Sequence, residues 1–219
     1  MSMIASDNGG TPIQKLQNGV YTAVSSVMID LGVQENEQFG KTQRKFMMIW
    51  TILGEDIEID GKKQPRTINK EYSFSLHEKS TLRKDLQAWR GVPFKNEELK
   101  GFDLTTVLNK ACQLQIILEE KNNKEYNNIA GIMSLPKGMK VEGLADTYFF
   151  DMTNAETWVN YCRVPNWIKD KIKKAKNLET TGFDKHIKEY DEMMKEQEVK
   201  ENNTNTDTEI IAPDDDLPF

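Results

Sequence analysis

Residues 44–53 read RKFMMIWTIL, and their two-residue rhythm decides the fold. Lys45, Met47, Ile49 and Thr51 fall on one side of an extended chain and Phe46, Met48, Trp50 and Ile52 on the other, because successive side chains of a strand alternate between faces. Both sets hold large apolar side chains, so this strand is expected to be largely buried on both faces. Upstream, Val20–Leu31 is a second such run, with Val20, Thr22, Val24 and Ser26 opposite Tyr21, Ala23, Ser25 and Val27. Downstream, Gly54 and Gly61 bracket Glu55–Asp60 as a hairpin-like connection, and Thr67–Leu76, which contains Tyr72 and Phe74, reads as a third strand. Three strands in succession predict a meander.

Further out, Ser80 is placed to cap a helix in which Leu82, Leu86 and Trp89 form one apolar stripe, and Gly91-Val92-Pro93 ends it. A short helical turn over Leu104–Leu108 precedes two more strands, Cys112–Leu118 and Tyr126–Leu135, joined around Asn122-Asn123. Three strands, a helix and two strands is the element order of the OB-fold, a five-stranded Greek-key barrel that binds oligonucleotides and oligosaccharides. Val141–Phe150 is a candidate further strand. Thr153 and Glu156 then have the spacing of a capping box before a helix holding Trp158 and Tyr161. Pro165 ends that helix and opens another, where Trp167, Ile168 and Ile172 lie beside Lys169, Lys171, Lys173, Lys174 and Lys176. The expected organisation is a flexible arm over 1–17, an OB-fold domain with C-terminal helices over 18–183, and a disordered acidic tail over 184–219.

Charge divides the chain at the same place. The net charge is −6, yet residues 1–188 hold 27 Lys or Arg against 24 Asp or Glu, whereas residues 189–219 hold 2 against 11. A body of net +3 thus carries a tail of net −9, and blocks of like charge stay solvated and act as interaction tails. No apolar run is long enough to cross a bilayer and residues 1–11 do not read as a signal segment, so a soluble cytoplasmic protein without membrane contact is expected. Cys112 and Cys162 form no CxxC pattern and are expected to be buried free thiols.

The chain finishes Asp214-Asp215-Asp216-Leu217-Pro218-Phe219. An acidic run before a compact apolar end suggests a docking peptide, with the Phe219 ring in a small pocket beside a Lys or Arg and the aspartates steering association. These six residues closely resemble the acidic tip of bacterial and phage single-stranded DNA-binding proteins. Ser75-Leu76 with Ser80, Leu82, Leu86 and Trp89-Arg90-Gly91, followed by Phe102-Asp103-Leu104, is similar to phage-encoded members of that group. The resemblance implies an OB-fold body, a disordered linker and a tip that docks replication and recombination proteins such as helicases, primases, nucleases and recombination mediators. The helical segment after Phe150 and the Asn/Thr-rich linker depart from the bacterial pattern and leave the assembly state open, homo-oligomers included.

Sequence-tolerant binding of a single strand needs cations for phosphates and aromatic faces for bases. Lys41, Arg44 and Lys45 lead into the second strand, Lys62, Lys63, Arg66 and Lys70 flank the entry to the third, and Lys121 and Lys124 lie in the last hairpin. Trp50, Tyr72, Phe74 and Tyr126 are the aromatic candidates, with Tyr72 and Tyr126 favoured because a phenol tolerates a half-wet groove. Trp89 reads as core, while Arg90 beside it is a candidate phosphate contact. The lysines of 169–176 either extend the DNA path or form a solvated helix face. No catalytic constellation emerges: Gly40-Lys41-Thr42 has Glu35 where a phosphate-binding loop needs Gly, and His77 and His186 stand apart. The expectation is a non-enzymatic protein, without cofactor or metal, that coats single-stranded DNA in phage or bacterial replication, recombination or repair. A strand-annealing protein and a non-DNA adaptor with an OB-like body are the alternatives.

Overall fold

A computed structural model describes residues 14–36, 40–59 and 61–204 of the chain. Five antiparallel strands curl into a half-barrel: β1 (Gly19–Asn36), β2 (Lys41–Ile59), β3 (Lys62–Ser73), β4 (Ala111–Lys121) and β5 (Lys124–Met133). Their order across the sheet is β3-β2-β1-β4-β5. A three-residue strand, β6 (Tyr148–Phe150), runs parallel to β1 at Val27–Ile29. The fold is therefore mostly β, with an antiparallel core compatible with an OB-like architecture.

The strands are longer than the sequence suggests. β2 continues through Glu55–Ile59, where a connection was expected, because Asp56–Ile59 pairs in register with Lys62–Pro65 across the hairpin. The last hairpin turns on Asn122 and Asn123, both at positive φ (54° and 57°), the backbone that a two-residue turn between right-twisted strands requires.

Between β3 and β4 lies α1 (Thr81–Arg90), and its ends are built as the sequence predicts. The Ser80 hydroxyl accepts from the Arg83 amide, Gly91 takes the left-handed conformation at the C-terminus, and Leu82, Leu86 and Trp89 are buried. Asp85 on the same helix accepts from Lys70 Nζ and from the Tyr72 hydroxyl, each at 2.7 Å, which ties the helix to β3.

The sheet is covered on both sides. Phe46, Met48, Trp50 and Ile52 of β2 face an inner core shared with Leu86, Trp89, Leu114 and Ile132. Ile29 and Leu31 of β1 and Met47 of β2 face an outer core completed by Phe150, Tyr161, Ile168, Ile172 and Phe183. Strand β2 is thus buried on both faces, as its composition implies. The outer layer comprises a 3-10 helix (Ala155–Arg163), α2 (Asn166–Lys173), α3 (Leu178–Thr181) and α4 (Phe183–Thr204).

Several expectations are corrected here. Only Tyr148–Phe150 of the expected Val141–Phe150 strand forms, since the backbone of Leu144 bonds the Asn109 side chain in both directions instead of joining a ladder. The capping box does not form: Thr153 donates to Asp151, and Asn154 caps one residue later by accepting from the Glu156 amide. From 184, where fading helix is expected before disorder, the chain forms α4, because Phe183, Ile187 and Tyr190 pack on the outer core. The arm is anchored at its end: Leu16 is buried, and its backbone N–H and C=O both bond the Asn127 side chain. Cys112 is a buried thiol pushed up to about 12 by its surroundings, whereas Cys162 is exposed. Residues 205–219, with the six-residue tip, lie outside the described residues.

Candidate nucleic-acid interface

Strand alternation sorts the outward side chains of the β2–β3 ladder into facing pairs: Thr51 with Thr67, Ile49 with Asn69, Met47 with Glu71 and Lys45 with Ser73. At the Thr67 end, β3 and β5 are neighbours without a continuous ladder, and residues 14–17 cross between them. Two adjoining depressions form there. One is lined by Lys15, Gln17, Leu118, Lys124, Glu125 and Tyr126, so one carboxylate stands among its cations. The other is lined by Lys15, Arg66, Thr67, Asn69, Tyr126 and Asn128. Tyr126 and Lys15 border both, so the two depressions make one groove.

Tyr126 is 47% exposed, which leaves an aromatic face at the surface. Arg66 approaches from β3, its Nη1 donating to the Gln14 carbonyl at 2.6 Å. Lys124 and Lys121 face each other across the hairpin, and among the described residues neither has an ion-pair partner. Lys15, within the arm expected to be flexible, is brought into the groove because Leu16 beside it is buried. The available signal was Leu16, a lone large apolar side chain among polar neighbours.

Of the residues expected at the site, the structure gathers Arg66, Lys124 and Tyr126. Lys41 and Lys62 are exposed at the starts of β2 and β3. Lys45 bonds Glu71 at 2.8 Å, on the same outward face but at the other end of the ladder. Two aromatic assignments are corrected: Trp50 is fully buried and Tyr72 is 4% exposed, so neither offers a ring to a base. Burial first, and then the charge of the Asp85 carboxylate that accepts its hydrogen bond, push the Tyr72 phenol upward. Lys70 is committed to the same carboxylate.

Phe74 belongs to a separate pocket lined also by Asp30, Phe46, Phe102, Phe149 and Asp151, and Arg44 is held against three of these residues. The Arg44 guanidinium lies 4.5 Å from the Phe74 ring centroid and bonds Asp30 at 2.7 Å and Asp151 at 2.9 Å. Burial works against its charge, but those two carboxylates outweigh it and raise its pKa. Arg90 pairs with Glu98 and stacks over Phe94 and Phe102, away from the groove residues. These cations are spent on structure, and their ability to meet phosphates is correspondingly reduced.

Among the described residues no helix is long and apolar enough to cross a membrane. No family model matches the chain, and no curated protein matches it.

Proposed function

We propose that this protein binds single-stranded DNA without sequence preference in the groove centred on Tyr126, and that its half-barrel is an OB-fold of Greek-key connectivity. The observation that carries this reading is the half-exposed Tyr126 ring flanked by Lys15, Arg66 and Lys124 from three separate segments. A base stacks on an aromatic face whatever its identity, while the surrounding cations neutralise phosphates. The amide side chains of Asn69, Asn128 and Gln17 can accept or donate along a strand without selecting one base. The body's net positive charge favours the same ligand, and the tail's resemblance to the tip of phage and bacterial single-strand binding proteins supports a role in replication, recombination or repair. On this reading Asp214–Phe219 recruits partner proteins and also competes with DNA for the basic groove.

The test is fluorescence anisotropy of a labelled oligothymidine at two salt concentrations, with a duplex of equal length as control. Tight, salt-sensitive preference for the single strand is expected. Tyr126→Ala should weaken binding by about 5- to 150-fold, the equivalent of about 1–3 kcal/mol of stacking. Lys124→Glu should lower the salt slope by about one. A chain lacking residues 214–219 should bind more tightly at low salt, and unchanged affinity would remove the competition from the account. No binding at low salt by the intact protein overturns the whole reading and leaves the adaptor.

A further inference from the structure

The helical layer over the outer face carries a feature that the packing of the fold does not use. The chain has four tryptophans. Trp50 and Trp89 are buried in the inner core, and Trp158 packs against the outer one with its Nε1 donating to the Met152 carbonyl. Trp167, on the first turn of α2, is 49% exposed, while its neighbours Ile168 and Ile172 supply the buried stripe of that helix.

A cation lies beside this indole. Lys171 follows one turn later, its Nζ 6.0 Å from the Trp167 ring centroid and 2.7 Å from Glu71 Oε2. The other Glu71 oxygen takes Lys45 Nζ at 2.8 Å. One carboxylate therefore holds two ammonium groups in place and neutralises one of them. Lys174, a further turn along the Trp167 side of α2, is exposed and has no ion pair among the described residues. Among the described residues, Lys45, Lys171 and Lys174 stand against Glu71 and the exposed Asp170, so the patch is net positive.

The β-ladder joins this patch to the Tyr126 groove. Thr67 and Asn69 line the groove, and Glu71, which anchors Lys171, is the next outward residue on the same strand. From Thr67 to Glu71 is about 13 Å at roughly 3.3 Å per residue. We propose that Trp167 is a second stacking platform for the same DNA strand, which runs along the outer face of β3 from Tyr126 to α2 with Lys45 and Lys171 meeting its phosphates. This rests on the single-strand reading of the Tyr126 groove and extends it onto helices that lie outside the five-stranded body. Exposed aromatics beside fixed cations are what base stacking and phosphate neutralisation require together.

The chain supplies its own reporter, since Trp167 is the most exposed of the four indoles. Two oligothymidines are titrated, one of about 4 nucleotides and one of about 16, the range that a single OB-type body occupies. Binding is followed by anisotropy and by tryptophan emission in the wild type, Trp167→Phe and Trp167→Ala, with thermal unfolding as the folding control. The expected result is quenching by the long oligonucleotide that Trp167→Phe abolishes, and a loss of about 5- to 150-fold in affinity for the long one in Trp167→Ala, with the short one held as before and the melting temperature unmoved. Unchanged affinity of Trp167→Ala for the long oligonucleotide overturns the platform while leaving the Tyr126 groove standing. An equal loss for both lengths also overturns it, because a second subsite acts only on a strand that reaches it. If the wild type binds neither, both readings fall.

Discussion

Glu71 sits between two lysines, and its titration exposes what that arrangement does for stability. Burial opposes its charge, but Lys171 and Lys45 outweigh burial and hold the carboxyl below its ordinary 4.5. A carboxyl whose pKa is lower folded than unfolded stabilises the fold above the unfolded value, and the effect fades as pH falls through the folded one. Glu71→Gln should therefore melt at a lower temperature than the wild type at neutral pH, and the gap should close as the buffer is taken well below 4.5. A gap independent of pH would show that the ion pairs contribute nothing. Such pairs are invisible in the sequence: Glu71 and Lys171 are 100 positions apart, and Arg44 and Asp151 107. The same limit explains the two misplaced aromatics. Period-two alternation says that Trp50 and Phe46 share a side, and the register adds Tyr72 to it, but only α1 and Asp85 make that side the interior. Tyr126 stays exposed because it lies on a hairpin of mostly polar residues.

The joint between β1 and the helical layer depends on one backbone position. Gly32 has φ of 70° beside a register shift, and a Cβ there would lie 2.6 Å from the Ala175 Cβ and 2.7 Å from Asn177 Oδ1. Asn177 in turn accepts from the Val33 amide at 2.7 Å, while the Lys176 amide donates to the Val33 carbonyl. Gly32→Ala combines left-handed strain with a clash against a packed helix end, so it should cost about 2–4 kcal/mol in urea unfolding. A loss below about 0.5 kcal/mol, the size of an ordinary surface change, would mean that the joint gives way freely. Elements were legible where local chemistry is self-sufficient. Helix α1 has its own cap, stripe and terminating glycine, and the Asn122-Asn123 turn has its own backbone preference. In the outer layer the helices had local signals but their contacts did not: α4 is anchored by Phe183 and Tyr190, which meet Trp158 and Tyr161 of the preceding 3-10 helix.

At the scale of the whole molecule, β1 and β2 supply both cores, so the half-barrel and the helical layer cannot lose structure independently without baring Ile29, Leu31 and Met47. In a Trp158→Phe, Trp167→Phe variant, unfolding in urea should give coincident transitions by tryptophan emission, which then reports the inner core through Trp50 and Trp89, and by far-UV circular dichroism, which also reports the helices. An early helical loss at lower denaturant would contradict this shared-strand coupling. The element order of the body was legible because each strand and α1 could be read locally, whereas the double covering of the sheet was only hinted at by the apolar residues on both sides of β2. The central place of β1 also sets a timetable. It pairs with β2, β4 and β6, and its residues Ala23 and Val27 meet Cys112 and Tyr148. At about 5–20 residues per second of synthesis, the first strand to leave the ribosome waits on the order of 5–25 s for its last partner. During that interval its edge is open to strands of neighbouring nascent chains, so the yield of active protein should depend on how crowded and how fast its translation is.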